Sequence, residues 1–397
     1  PILRRCMRIA VVETTPYGGL LHYAVQLADA LAGRGDDVDL LVTRGNELAA
    51  HKGAARMRAT LPPPVPGSAA DHGRASYLVR RARVAIRLAR AWIQIARAAR
   101  SGRYDALVFT LDLGLSLSVA ALLALTFLPG RPLLAAVSHN VRPYNKQGGD
   151  ELTVTGGLLG TLLARLYPRL DLVLVHGERS RRDFEAIWPP SRLAEIPHGD
   201  EDIFAAGDAP APASEPRLLF FGDWRKVKGL EVLMEAFDAL AARRPDARLT
   251  IAGEPAPADF DPDVVRAWAA GHDGRVEVVD RYVEMDEVPA LFGRARVVVT
   301  PYVVGYQSGV LHLAMTMARP VVTTDVGDLP AALGDGGRVV APGDPVALAA
   351  ALEELAFDAE LSERLGSDNR RRVLADSSWA TVAERVEGEL SALAPRH

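Results

Sequence analysis

The chain of 397 residues has a single cysteine, Cys6, so it forms no internal disulfide and no cysteine-based zinc site. Its histidines show no HExxH or similar spacing, and no structural metal is expected. The N-terminal PILRRCMRIAVVE lacks the basic, apolar and small-residue succession of a secretory leader and runs directly into a strand pattern. With the lone thiol, this points to a cytoplasmic protein. Long apolar runs are scarce as well. The longest, Leu113 to Pro129, lies between the strand-like DALVFT and PLLAAV, which is the setting of a buried helix rather than of a membrane span.

What is present is enough for two cores of ordinary domain size, with 49% hydrophobic and 24% charged residues. The net charge of −4 hides an asymmetry: residues 1–205 hold 26 Lys and Arg against 19 Asp and Glu, and the remainder 20 against 31. A basic half and an acidic half imply different partners.

Both halves alternate strand and helix. In the first, Met7 to Glu13 is a buried strand, TTPYGG a turn-rich loop, Leu20 to Arg34 a helix and Asp37 to Thr43 a second strand. A long helix over about Ser76 to Arg100 follows, then strands at Asp105 to Thr110, Leu133 to Val137, Asp171 to Val175 and Leu193 to Ile196. The Ala/Pro-rich segment 206–216 reads as a linker, after which the alternation restarts at Leu218. The expected organisation is an N-terminal Rossmann-like domain over 1–205 and a second one over 217–378. A C-terminal helix and tail over 379–397 has no strand to return to and so is expected to cross back to the first domain. Two such domains would gather the loops at their strand ends in an interdomain cleft.

Chemistry concentrates at strand ends. In RLLFFGDWRKVKGLE, residues 217–231, an apolar strand hands its carboxyl end to Gly222 and a basic loop, then to a helix start. Arg225, Lys228 and free backbone N–H groups would favour an anion there, most simply a phosphate. The bland alternative is a solvated basic helix start. PYVVGYQSGV, residues 301–310, places Gln307, Ser308 and Gly309 in the first turn of another helix, or is simply a good turn. His139 ends the strand PLLAAVS, and His176 and His198 occupy comparable strand ends. On the long helix, Arg80, Arg83, Arg87, Arg90 and Arg97 share one face, and the opposite face carries Ala82, Ala85, Ile86, Ala89, Ile93 and Ala96. Such a stripe suits anionic lipid headgroups or an acidic acceptor. It equally suits solvent or the acidic second half.

Taken in order, FFGDWRKVKGLEVLMEAF, the Gly18-Gly19 loop, SHN at 138–140, IPHGDEDIF at 196–204, PYVVGYQSGVLHLAM and PVVTTDVGDLP resemble the family 4 retaining glycosyltransferases of the two-Rossmann GT-B fold. The resemblance covers nearly the whole chain. It implies a nucleoside diphosphate sugar as co-substrate, transfer to an acceptor hydroxyl with retention, and no metal or other cofactor. Arg225 and Lys228 would neutralise the departing diphosphate, and Gly222, Ser308 and Gly309 with Gly18 and Gly19 would complete the phosphate pocket. His139 would contact the donor sugar near its anomeric centre, and the segment Arg281, Tyr282, Val283 would hold the base. One departure stands out. The family usually carries two glutamates eight positions apart in the stretch around Tyr306 to Ala314, whereas no carboxylate lies between Pro301 and Asp325 here. Gln307 is expected to take over one hydrogen-bonding role. A nucleotide-sugar-binding protein without transferase activity and a same-fold sugar-nucleotide epimerase are the competing readings. The acceptor loops, about Asn46 to Arg74 and Arg142 to Thr155, carry no motif that names the acceptor, and no nucleic-acid partner is expected.

Overall fold

Short runs of Val, Ile, Leu and Ala bounded by Gly, Pro and Asp bury both faces of a strand, which is the condition for parallel sheets covered by helices. The computed structural model describes residues 6–65, 74–110, 113–144, 153, 156–205, 213–256 and 259–394, with side chains from Val79 onward in the helix that begins at Arg74. The chain divides into two units. One comprises Pro1–Pro143, Val154–Ile196 and Trp379–His397, the other Tyr144–Thr153 and Pro197–Ser378.

The first unit contains β1 (Arg8–Val12), α1 (Gly19–Gly33), β2 (Asp37–Thr43), β3 (Arg56–Leu61), α2 (Arg74–Arg100), β4 (Ala106–Phe109) and α3 (Ser116–Leu125). It continues with β5 (Leu133–Ser138), α4 (Gly157–Leu166), β6 (Leu172–Val175), α5 (Glu178–Ile187) and β7 (Leu193–Glu195). The strands pair in parallel in the order β3-β2-β1-β4-β5-β6-β7. Because β-α-β crossovers are right-handed, α1, which steps one way along the sheet, lies on one face, and α2 to α5, which step the other way, lie on the opposite face. Helices α2, α3 and α4 therefore run parallel and all begin at the end where the strands finish.

Strand β3 lies within the stretch that the sequence reads as an acceptor loop. Its RMRATL pattern is polar because it is an edge strand, and it is held by charge: Arg56 Nε and Arg58 Nε lie 2.9 and 3.3 Å from Oδ1 of the buried Asp39. Tyr104 donates to the same carboxylate at 2.7 Å. These partners outweigh burial and hold Asp39 below the usual carboxylate range.

Helix α2 buries Leu88, Ala91, Trp92, Ile95 and Ala99, with Trp92 Nε1 donating to Ser118 Oγ of α3 at 3.3 Å. The apolar residues noted opposite the arginines are not what it buries: Ala82, Ala85, Ile86, Ala89 and Ile93 are exposed. The bulky series 88, 92, 95, 99 fills the space over the sheet, and the smaller series turns to solvent. Arg87 also leaves the basic stripe. It is partly buried and donates to the main-chain oxygens of Pro62, Pro63 and Thr14 and to Thr43 Oγ1. The C-terminal helix α13, Trp379–Leu393, completes this unit by packing on α1. Arg34 Nε lies 2.8 Å from Glu387 Oε2, and the rings of Tyr23 and Trp379 are 5.0 Å apart.

The second unit contains β8 (Arg217–Phe221), α6 (Leu230–Arg243), β9 (Arg248–Ala252), α7 (Pro262–Ala270), β10 (Val276–Val279), α8 (Val288–Arg294) and β11 (Val297–Thr300). After these come α9 (Gly309–Thr316), β12 (Val321–Thr324), α10 (Leu329–Leu333), β13 (Gly337–Val340), α11 (Pro345–Phe357) and α12 (Ala359–Asp376). Its parallel sheet runs β10-β9-β8-β11-β12-β13. Residues 197–205, expected with the first domain, belong here because Phe204 and Ala205 are buried in a core with Leu219, Tyr302 and Leu313. Of the linker expected over 206–216, residues 206–212 lie outside the described residues, as do 66–73, 145–152, 154 and 155 of the expected acceptor loops. No helix among the described residues is long and apolar enough to cross a membrane, and the apolar run becomes the ten-residue α3.

The turn between β8 and α6 depends on one residue. Gly229 has φ 69°, and a Cβ there would sit 1.8 Å from the carbonyl oxygen of Pro301. Val303 N donates to Val227 O at 2.9 Å, locking the loops after β8 and β11 backbone to backbone. Gly229→Ala is expected to cost roughly 2–4 kcal/mol, from left-handed strain and the displaced contact, read as a fall in calorimetric Tm. An unchanged Tm would show that these loops separate freely.

Candidate functional site

In the second unit the loop after β8 forms a single 3-10 turn, Lys226–Lys228, that carries Lys228 inward. Its Nζ lies 3.9 Å from the centroid of the Tyr302 ring. Burial works against the charge, but the phenol oxygens of Tyr302 and Tyr144 and the carboxylate of Asp223 outweigh it and hold Lys228 above its ordinary range. The lysine is therefore an ammonium at neutral pH. Tyr302 is in turn fixed by Ser308, its hydroxyl 3.0 Å from Ser308 Oγ.

Ser308 is the N-cap of α9 and its Oγ accepts from Leu311 N at 3.2 Å. Its side chain is thus committed to the helix, and the amides of Gly309 and Val310 are the first-turn donors with no intrahelical acceptor. Three sequence-predicted residues, Lys228, Ser308 and Gly309, are in this way joined through Tyr302 into one positive locus. Arg225 stands at the start of the same turn, paired with Asp223. Gly222, at φ 125°, turns the chain out of β8, and its N–H donates to Ala252 O at 3.0 Å. Gln307 directly precedes the cap and is partly buried.

A carboxylate also reaches α9, from outside the stretch where the sequence lacks one. Glu201 Oε1 lies 3.3 Å from where a Cβ on Gly309 would be, and His198 borders the same point. Glu201 N donates to Thr316 Oγ1 at 3.1 Å, and the rings of His198 and His312 stack 4.7 Å apart, so the segment IPHGDE is seated on this helix. Arg281 is bound to Glu287 through both terminal nitrogens, at 2.7 and 2.6 Å, and this bond holds the Glu287 carboxyl down at about 2. The Val283 side chain is buried in the core. Arg281 also donates to the main-chain oxygen of Tyr282 at 3.0 Å.

In the first unit, Gly18 caps α1 at φ 84° with open space where its Cβ would be, and Gly19 is equally open. Gly18 N donates to Glu47 Oε1 at 2.6 Å, and His22 Nε2 meets the same oxygen at 2.6 Å. Just before this loop, Glu13 at the end of β1 is fully buried. It accepts from Thr14 N and Thr15 N, each at 2.7 Å, from Thr15 Oγ1 at 2.6 Å and from Thr110 Oγ1 at 2.9 Å. Burial pushes its pKa up and the threonine bonds pull it back. Glu13 thus sets the course of the loop that carries Gly18 and Gly19.

His139 follows β5 and His176 follows β6, which are neighbours in the sheet. Their ring centroids are 5.2 Å apart, and the Tyr23 ring stands edge-on to His139 at 4.6 Å. Burial, then the neighbouring His176, lowers the His139 pKa well below 6.5, so it is a neutral imidazole at physiological pH.

Sequence reasoning missed Tyr302, Tyr144, Glu201, His312 and Glu13. Tyr302 stands beside Pro301 and Glu201 inside IPHGDEDIF, so both segments were flagged without these roles. Nothing in sequence spacing links Tyr144 to Lys228.

Residues 215–358 match the family model described as Glycosyl transferases group 1. The chain is 30% identical over 240 residues to the alpha-maltose-1-phosphate synthase of Mycobacterium tuberculosis, an alignment covering 56% of this chain and 58% of that protein. It is 28% identical over 231 residues to the alpha-D-kanosaminyltransferase of Streptomyces kanamyceticus, covering 54% and 59%. The chain therefore spans less than two thirds of the length of these relatives. Among solved structures it is similar to sucrose-phosphate synthase from Thermosynechococcus elongatus, with TM-score 0.71, 20% identity, and 97% and 98% of the two chains covered. It is also similar to Anabaena HepE in complex with UDP-glucose, with TM-score 0.71, 15% identity, and 97% and 100% covered. At such identities these likenesses are of fold.

A neutral His139 in the folded state means that the unfolded chain binds the extra proton below pH 6.5. The resulting stability is complete above that pH and is lost as pH falls toward the depressed folded value. The Tm should fall as the pH drops below 6.5. His139→Asn should flatten part of that slope, and an unaltered slope would contradict the buried neutral imidazole.

Proposed function

We propose, from the premise that residues 215–358 belong to the group 1 glycosyltransferases and that the chain has the two-domain GT-B fold, that it is a retaining glycosyltransferase using a nucleoside diphosphate sugar. The observation that carries this reading is the buried ammonium of Lys228 against Tyr302 at the cap of α9, with Arg225 on the same turn, all within the matched segment. Charge develops on the leaving diphosphate as the glycosidic bond breaks. A cation already desolvated and fixed stabilises that charge with little reorganisation. The first-turn amides of α9 add donors, and a bidentate guanidinium at Arg225 adds geometric selectivity once it exchanges Asp223 for phosphate oxygens. Anabaena HepE, solved with UDP-glucose, supports a nucleotide-sugar donor for this fold.

The second unit would hold the donor and the first the acceptor. Glu201 would supply the carboxylate for donor hydroxyls that the stretch 301–324 lacks, and Gln307, just before the cap of α9, a further hydrogen-bonding group. Neutral His139 would hydrogen-bond the donor sugar without adding charge where an oxocarbenium ion forms. The Gly18-Gly19 loop would approach the diphosphate by its backbone.

The test is turnover of UDP-, GDP-, ADP- and TDP-sugars against a panel of acceptors, with product anomers assigned by NMR. An α-linked product from an α-linked donor is expected. Lys228→Met and Arg225→Ala should each lower kcat/KM by about 10²–10³ with unchanged circular dichroism. Near-normal kinetics in both would sink the assignment, and a β-linked product would contradict retention. Donor binding without consumption would favour a nucleotide-sugar-binding protein, and donor conversion without acceptor would favour an epimerase.

A further inference from the structure

Helix α2 presents an outward face that its own unit leaves uncovered. Val79, Ile86 and Ile93 are 50, 52 and 52% exposed, and with the exposed Ala82 and Ala89 they form a stripe at spacings of three and four residues, about 21 Å long. Beside it, Arg83, Arg90 and Arg97 recur every seven residues. All three are exposed, and none has a hydrogen bond or ion pair among the described residues. The helix contains no Asp or Glu. It begins at the end of the sheet where α3 and α4 also begin, and there Leu115, Leu117 and Leu158 are 46, 43 and 69% exposed.

We propose that the outward face of α2 docks the first unit on an anionic lipid surface, with the helix lying in the headgroup plane. The apolar stripe would enter the acyl boundary and Arg83, Arg90 and Arg97 would reach phosphates on their long stems. Charge complementarity selects the occupant: an unpaired single-sign row alongside shallow aliphatic side chains matches a fluid anionic sheet. Among the described residues the stripe holds Val, Ile and Ala, without the aromatic anchors around which a protein interface is built. The proposal is independent of the sugar-transfer reading.

The experiment is flotation of the full chain with phosphatidylcholine vesicles and with vesicles holding 30% phosphatidylglycerol, about 30% being enough for a strongly anionic surface. Binding is expected to the anionic vesicles, to be weakened by 0.5 M salt, which shortens the Debye length to roughly 4 Å from about 10 Å at 0.1 M. The triple variant Arg83→Ala, Arg90→Ala, Arg97→Ala should reduce partitioning about a hundredfold. Ile86→Asp with Ile93→Asp should abolish it at unchanged Tm. As a second readout, Ile93→Trp should shift its fluorescence to the blue on anionic vesicles only. Absence of binding to anionic vesicles, or binding indifferent to these substitutions, overturns the proposal. Self-association that Ile86→Asp with Ile93→Asp removes, without vesicle binding, would assign the face to a second copy instead and overturn it equally.

Discussion

An ammonium held out of water is tolerated only where fixed partners replace its hydration, and the second unit is organised around meeting that condition for Lys228. Tyr302 offers its ring face, Asp223 its carboxylate and Tyr144 its phenol, and Ser308 fixes Tyr302 while capping α9. These residues come from three loops, those after β5, β8 and β11. The loops are kept in register by the close approach of Gly229 to Pro301, where nothing larger than a hydrogen fits. The positive locus is therefore built before any ligand arrives, which is the property a leaving-group site needs.

The first unit gathers aromatic rings at its strand ends. His139, His176 and Tyr23 form a buried aromatic group at adjacent strand ends, with His139 kept uncharged. Its one deeply buried carboxylate at β1, Glu13, is turned toward its own loop and saturated by hydroxyl and amide donors.

The fold was legible because its signal is local. Apolar strands between amphipathic helices announce parallel sheets, and every strand the sequence marks is present in a sheet. The polar edge strand β3 escaped because one neighbour and an ion pair with Asp39 hold it, not a two-sided apolar pattern. On α2 the sequence showed an arginine row and an apolar row, but not which apolar row the sheet would claim. Trp92 and Ile95 decide that by size, and the decision is tertiary. The site was legible to the level of segments. Lys228, Ser308 and Gly309 lay in marked loops, whereas Tyr302 and Glu201 acquire meaning only when loops distant in sequence meet. Arg281 shows the converse: a residue in a marked segment whose guanidinium is occupied by Glu287.

Helix α13 has a consequence for the order of folding. It covers α1, which belongs to the earliest βαβ unit of the chain, yet the whole second unit is synthesised between them. On a ribosome the first sheet must wait with the α1 face uncovered, on the order of ten seconds or more, until the segment bearing Trp379 and Glu387 emerges. The second unit, made of the continuous Pro197–Ser378 and the short earlier segment Tyr144–Thr153, has its core strands complete before that. The domain that is read first is thus the one that is finished last, and its exposed interval is where a chaperone would find it.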